Sequence, residues 1–134
     1  MAHKVVSAAH SLKLWPVENV LRFAVVSSKA VCQMKGTPFI PELVPGSLKI
    51  QDIPDQGTYK KKITFKVQHP AKERTSTIIT MKPGYFVAEY VDEVGDSRVS
   101  GSPSYPLLLS FSMNDGLYSC TLEGKGTDPD AYTL

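Results

Sequence analysis

Histidine, cysteine and tryptophan are scarce in this sequence, which contains three, two and one of them. No His-x-x-x-His pair, Cys-x-x-Cys pair or carboxylate–histidine cluster has the spacing of a metal site. There is no Gly-x-Ser-x-Gly elbow, and residues 124–127 lack the upstream glycine of a phosphate-binding loop. The sequence therefore predicts no catalytic residues, no metal, no cofactor and a protein that is not an enzyme.

Long apolar runs are also missing. No window approaches the roughly 18 apolar residues of a membrane span. Arg22 interrupts the apolar stretch 20–26, and no small-residue cleavage site follows, so the start of the chain lacks the pattern of a secretion signal. We expect a protein made in a cytoplasm and kept there, or packaged into a particle assembled there. Cys32 and Cys120 are too few for a disulfide scaffold, and we expect two reduced thiols.

The net charge is only +2, but the charges are unevenly distributed along the chain. Residues 1–88 hold thirteen lysines and arginines against five acidic residues, whereas residues 89–134 hold two against eight. The first interpretation is that both sets of charges are solvated and intermix once the chain folds. The second is a head-to-tail contact between subunits, which such polarity suits and which forms a ring if the rotation closes.

Alternation of apolar and polar residues with period two is the clearest structural signal. It predicts a strand over 60–68, with Phe65 facing inward, and a β-hairpin over 106–123. Turn-forming residues predict a second hairpin at 81–85 and a third turn at 94–97. Short strands separated by such turns indicate an all-β protein, either an antiparallel β-sandwich or a β-barrel, with at most one short helix.

The length favours a single β domain over residues 1–134. We expect residues 1–14 to form a flexible amino-terminal arm and residues 128–134 a carboxyl-terminal tail. Residues 37–58 are predicted to be irregular, because their prolines cannot lie in a central strand. Residues 15–26 fit either a short helix or a strand, and their β-branched and aromatic content favours the strand.

Apolar residues of the proline-rich segment are candidates for an assembly interface, because contiguous exposed apolar surface marks contact sites. The alternative is that the segment simply caps the sheet. The candidate interface residues are Phe39, Ile40, Leu43 and Val44.

Charged residues provide two further candidate contacts. The basic face is interpreted first as a solvated, edge-protecting surface, second as a protein contact and third as a nucleic-acid surface. Nucleic acid ranks last because Phe65, the aromatic residue of that strand, is expected to be buried and cannot stack on bases. The candidate basic face is Lys60, Lys62, Lys66, Lys72 and Arg74, and the candidate acidic face is Asp92, Glu93 and Asp96.

Residues 90–107 (YVDEVGDSRVSGSPSYPL) and 118–127 (YSCTLEGKGT) carry a resemblance to a known group of proteins. This part of the chain resembles small β-rich proteins encoded in phages and prophages of Bacteroidetes-type bacteria. In those proteins a hairpin with a polar tip leads to a Gly-Ser/Thr-Pro-x-Tyr-Pro-Leu step and then to a pair of strands. The resemblance covers the last third of the chain and implies a virion or tail-associated structural role, without assigning any functional residue.

The leading hypothesis is a non-enzymatic structural subunit of a bacteriophage particle, a tail or head–tail connector component. Such a subunit would be assembled in the bacterial cytoplasm, reside in the virion, and bind itself or other virion proteins as a ring or other homo-oligomer. The alternative is a β-sandwich module that binds glycans or small ligands, and a small β-barrel enzyme is a third hypothesis. The aromatic residues available to a ligand-binding module are Trp15, Tyr105, Tyr118 and Tyr132.

Overall fold

The computed structural model describes residues 5–8, 11–68, 84–92, 94–114 and 117–133. Strands make up most of this part of the chain, and the only helical element within it is a short 3-10 turn. The predicted all-β fold class is confirmed, and the sheet is not closed, so the architecture is sandwich-like. Within the described ranges no helix is long and apolar enough to cross a membrane.

Eleven strands are described, and the 3-10 turn Val17–Asn19 lies between the second and the third. In chain order they are β1 (Val5–Ala8), β2 (Ser11–Pro16), β3 (Val20–Val26), β4 (Lys29–Met34), β5 (Lys49–Asp55), β6 (Thr58–Gln68), β7 (Gly84–Val91), β8 (Ser97–Ser100), β9 (Leu107–Asn114), β10 (Leu117–Gly126) and β11 (Ala131–Thr133).

The strands form one mixed sheet. Ten of them follow the hydrogen-bonded order β1-β5-β6-β10-β9-β7-β8-β11-β4-β3, and β2 pairs with β7 off this path. The pair of β11 with β4 is parallel, and the other described pairs are antiparallel. The sheet path therefore has β1 at one end and β3 at the other.

The loop 101–106 lies where the sheet divides into two parts, which β7 joins. One part contains β1, β5, β6, β10 and β9, and the other contains β8, β11, β4 and β3. One edge of β7 pairs with β2, and along its other edge the first residues pair with β9 and the last residues pair with β8. β8 and β9 thus lie along the same side of β7, with the loop projecting between them. Gly101 begins this loop at φ +84°, and a Cβ there would lie 3.0 Å from the side chain of Leu107. Both facts favour glycine at this position.

Two apolar cores lie on opposite faces of β7. Phe86, Ala88 and Tyr90 face the larger core, whereas Val87 faces the smaller one. Burial on both faces explains why this strand has an apolar run instead of strict alternation. The larger core also contains Leu12, Leu14, Leu48, Ile50, Ile63, Phe65, Val67, Leu107, Leu109, Tyr118, Cys120 and Leu122, and the smaller core contains Ala30, Val99 and Ala131.

Several local predictions agree with the structure. The hairpin over 106–123 is β9 and β10, and the strand over 60–68 lies within β6 with Phe65 buried. The turn at 94–97 connects β7 to β8. Residues 15–26 are mainly strand, as their composition favours. The hairpin predicted at 81–85 falls largely outside the described residues.

Both chain ends differ from the prediction of an arm and a tail. Residues 5–8 pair with β5 and residues 11–16 with β7, and Leu12 and Leu14 of the expected arm 1–14 are buried in the larger core. Within the expected tail 128–134, β11 joins β8 to β4. In β2 the buried Leu12 and Leu14 alternate with exposed residues, a local signal that the expectation of an arm leaves unused. β1 and β11 are only four and three residues long and show no sustained alternation.

The prediction of an irregular segment over 37–58 is wrong for its second half. Residues 49–55 form β5 and pair with β6, even though Pro54 lies among them. A proline is tolerated there because β1 pairs only with the first residues of β5, from Lys49 to Asp52. Pro54 therefore lies beyond β1, where no described strand needs its missing N–H donor.

Candidate functional site

The hairpin of β3 and β4 ends the sheet and carries Val26, the most exposed large apolar residue within the described strands. Its two-residue turn, Ser27–Ser28, has φ values of 52° and 65°. Positive φ at both positions is the signature of a type I′ turn, which matches the twist of paired strands. Val26 and Lys29 flank the turn and face each other, so the hairpin is tight and its register is fixed.

The two faces of β3 differ. Phe23 and Val25 pack against the smaller core, whereas the alternate residues face solvent. Val26 is 64% exposed and Leu21, beside a bulge in the pairing, is 52% exposed. Only one charged residue, Arg22, lies in the whole strand. The outer face of β3 is therefore an apolar surface with little charge to keep other molecules away.

The outer edge of β3 also offers backbone groups for pairing. Within the described residues β3 pairs with β4 alone. Because the residues flanking a two-residue turn exchange both hydrogen bonds, Val26 and Ala24 direct their N–H and C=O groups towards β4. Phe23 and Val25 consequently direct theirs away from β4. This surface, defined by Leu21, Arg22, Ala24 and Val26 with the outward backbone of β3, is called the β3 edge below.

The four residues predicted to form an assembly interface differ in how far they are buried. Phe39 and Leu43 pack against the larger core, and Phe39 exchanges backbone hydrogen bonds of 2.8 and 2.9 Å with Leu14. The amide of Val44 donates a 2.8 Å hydrogen bond to the carbonyl of Lys66. Ile40 alone of the four is largely exposed, at 59%. Most of this segment caps the sheet, and Ile40 is the residue it presents outward.

The predicted basic face exists in part. Lys60, Lys62 and Lys66 are exposed on the outer face of β6, while Lys72 and Arg74 lie outside the described residues. Lys60 Nζ lies 3.5 Å from the Asp55 carboxylate, and Glu123 of β10 lies opposite Lys62. The register of Lys62 with Glu123 places a basic residue of 1–88 beside an acidic residue of 89–134, as expected if the charges intermix.

The predicted acidic face is wrong for Asp92, which is buried and engaged in internal contacts. Its Oδ1 accepts hydrogen bonds from the amides of Val94 and Asp96, at 3.1 and 2.9 Å, and its Oδ2 accepts one from Arg98 Nε at 2.9 Å. Burial opposes ionisation of Asp92, but these bonds outweigh it and lower its pKa. Asp96 is exposed, and Glu93 is not among the described residues.

A buried ionic network connects the two parts of the sheet, and sequence reasoning missed it. Lys61 Nζ donates to Asp52 Oδ1 at 3.2 Å and to Asp130 Oδ1 at 2.6 Å. Tyr90 Oη donates to Asp130 Oδ2 at 2.6 Å, and the Asp130 amide donates to Asp52 Oδ2 at 2.7 Å. All four side chains are buried. The network joins β5 and β6 to β7 and to the start of β11.

The network has more negative than positive charge, since two carboxylates share one ammonium group. Burial and the neighbouring charge of Asp130 raise the pKa of Asp52, although hydrogen bonds from Asp130 and Lys61 partly oppose this. Burial and Asp130 also raise the pKa of Tyr90, whose hydroxyl group therefore stays protonated and donating. Every carboxylate oxygen of the pair accepts a hydrogen bond, which satisfies the buried charges. The arrangement is suited to holding strands together.

A cleft of about 490 Å³ opens between β4 and the β2–β7 pair. The indole N–H of Trp15 donates a 3.2 Å hydrogen bond to Glu89 Oε1 at this cleft. Burial, and secondarily the charge of Glu89, raise the pKa of the Cys32 thiol on the facing strand. This Trp15 cleft is lined by Trp15, Ala30, Cys32, Met34, Glu89 and Val99, together with two neighbouring side chains.

Other candidate chemistry is sparse in the described ranges. No group of three or more histidine, cysteine or carboxylate residues there could hold a metal ion. Cys32 and Cys120 are both free thiols. Of the four aromatic residues proposed for ligand binding, Tyr118 is buried, Trp15 borders the cleft, and Tyr105 and Tyr132 are exposed.

Comparison with known proteins finds no matching family model, no matching curated protein and no matching solved structure.

Proposed function

We propose that this chain is a non-enzymatic structural subunit of a bacteriophage particle, a tail or head–tail connector component that assembles through protein–protein contacts. The observation that carries the proposal is the β3 edge, where exposed apolar side chains and outward backbone groups occur together. An extended segment of another subunit can add to such an edge, with backbone hydrogen bonds for affinity and side chains for specificity.

The resemblance to phage-encoded proteins supports the same role. The resembling residues form the end of β7, then β8, the 101–106 loop, the start of β9 and most of β10. These strands lie in the middle of the sheet, with β1 and β3 at its ends. Under this proposal the subunit forms a ring or other homo-oligomer, or joins other virion proteins, in the host cytoplasm.

The test replaces a residue of the β3 edge with lysine. Val26→Lys adds a charge where an apolar side chain would be covered on assembly. Fully burying a valine is worth about 1.5–3 kcal/mol, so we expect the dissociation constant to rise by at least about tenfold. The measurements are light scattering of the purified chain and co-purification with the products of neighbouring genes.

Val94→Lys is the matched control, because Val94 is 76% exposed but lies in the turn between β7 and β8. It should assemble like the unchanged protein. A chain that stays monomeric and binds none of those gene products would contradict the proposal. Equal behaviour of the two variants would exclude the β3 edge as the contact.

A ligand-binding β-sandwich module is the second candidate, favoured by the Trp15 cleft. Its volume is in the range of small-molecule sites, and it contains an aromatic side chain beside a polar one. Under this proposal a glycan or small-molecule array gives a hit that Trp15→Ala removes. An array without hits would argue against it.

A further inference from the structure

The Trp15 cleft contains a carboxylate that lacks a cationic partner in the described part of the chain. Glu89 is half-buried, and among the described residues the hydrogen bond it receives comes from Trp15 Nε1 at 3.2 Å. Lys13 lies directly opposite Glu89 on β2, but it is exposed and no ion pair joins the two among the described residues. A partly desolvated negative charge of this kind attracts a cation more strongly than an exposed one does.

The charge of Glu89 acts across the cleft. Cys32 belongs to β4 on the opposite wall, and burial, with the charge of Glu89 as the second cause, raises the pKa of its thiol. A cation placed between the two walls would therefore lie in a negative potential. The hydrogen bond from Trp15 also fixes the carboxylate beside the indole ring, so that both groups are held ready before a ligand enters.

The remaining lining suits the alkyl substituents of an organic cation. An indole ring is the best aromatic partner for an ammonium group, through its negative face. Met34, Val99 and Ala30 supply apolar and polarisable surface around it. We propose that the Trp15 cleft binds a small organic cation, an ammonium group that carries alkyl substituents, with Glu89 as counter-ion and Trp15 as the cation–π partner.

Choline and 3,3-dimethylbutan-1-ol provide the test, because they have nearly the same shape and differ in charge. Trp15 is the only tryptophan of the chain, so its fluorescence reports on the cleft directly. Titration of the full chain with choline, against sodium chloride at equal ionic strength, should give a saturable change in emission. We expect choline to bind about tenfold more tightly than the alcohol.

Glu89→Gln is the informative variant, since glutamine can still accept the hydrogen bond of Trp15 Nε1 while losing the charge. It should lose most of the preference for choline over the alcohol and keep only the part that the indole ring contributes, with an unchanged circular dichroism spectrum. Glu123→Gln is its matched control, because Glu123 is exposed on β10 away from the cleft, and it should bind choline normally. The inference is overturned if choline and the alcohol bind alike, if neither binds, or if Glu89→Gln retains the full preference for choline.

Discussion

Replacing Lys61 with methionine tests whether the buried network holds the two parts of the sheet together. Methionine keeps much of the side-chain length and apolar volume but removes the ammonium group. Asp52 and Asp130 would then be two buried carboxylates without a cation. Breaking a buried ion pair by removing one partner costs about 3–5 kcal/mol, so we expect a loss of that size in the free energy of unfolding at neutral pH.

The loss should depend on pH in a definite direction. The pKa of Asp52 is already raised in the folded protein, and Lys61 is one of the groups that oppose the increase. Without Lys61 the folded pKa rises further above the unfolded value of about 3.9. A group of this kind favours the folded state below its unfolded pKa and loses that contribution as the pH rises through its folded pKa. The free energy of unfolding of Lys61→Met should thus be closest to that of the unchanged protein near pH 4, and the difference between them should grow towards neutral pH.

The assay is urea denaturation followed by Trp15 fluorescence and far-ultraviolet circular dichroism, at several values of pH. Lys62→Met is the matched control, because Lys62 is the next residue of β6 and is exposed. A surface change of this kind should alter stability by no more than about 0.5 kcal/mol. The reasoning is refuted if Lys61→Met costs as little as Lys62→Met, or if its cost is the same at all pH values.

Two further outcomes follow from the structure. Asp92→Ala removes the acceptor for two backbone amides and Arg98, so it should lower the thermal midpoint clearly, whereas Asp96→Ala, at an exposed position, should not. Because the pKa of Asp92 is lowered in the folded protein, the difference in thermal midpoint between the unchanged protein and Asp92→Ala should be largest above the ordinary aspartate pKa. This difference should shrink as the pH falls through the lowered pKa, and a difference that stays constant with pH would contradict the reasoning. Burial raises the pKa of Cys120 to about 12, so its thiol should react with a disulfide reagent at pH 8 only after the protein is denatured. Rapid reaction of both cysteines in the native protein would show that the core around Cys120 is accessible to the reagent.

The sequence was informative for the long strands that have one buried and one exposed face. In β6 and β10 the buried residues alternate with outward ones as predicted, because a period of two directly encodes the two faces of a sheet. The sequence did not predict β5, because a proline was expected to prevent a strand there. Pro54 is compatible with the strand because the pairing of β5 with β1 ends at Asp52. β1 and β11 are too short to show a sustained alternation, whereas Leu12 and Leu14 of β2 do alternate with exposed residues, a local signal that the expectation of an arm leaves unused.

The buried network shows both a missed signal and a limit of sequence reasoning. Lys61 lies in phase with Ile63, Phe65 and Val67, which the alternating pattern assigns to the inward face, and the candidate basic face does not include it. Inspection of that phase could have identified Lys61 as buried. Its partner Asp130 could not have been found in this way, because the two residues are 69 positions apart and meet only in the folded chain.

The network and the β3 edge are connected through the order of the strands. Lys61 and Tyr90 fix Asp130, and the next residue, Ala131, begins β11. Within the described sheet β11 is the strand that joins β8 to β4, and β4 in turn positions β3. The place of the proposed assembly surface therefore depends on an ion pair two strands away from it. A substitution at Val26 changes the chemistry of that surface, whereas one at Lys61 changes where the surface is held, so loss of assembly in the Lys61 variant alone would not locate the contact.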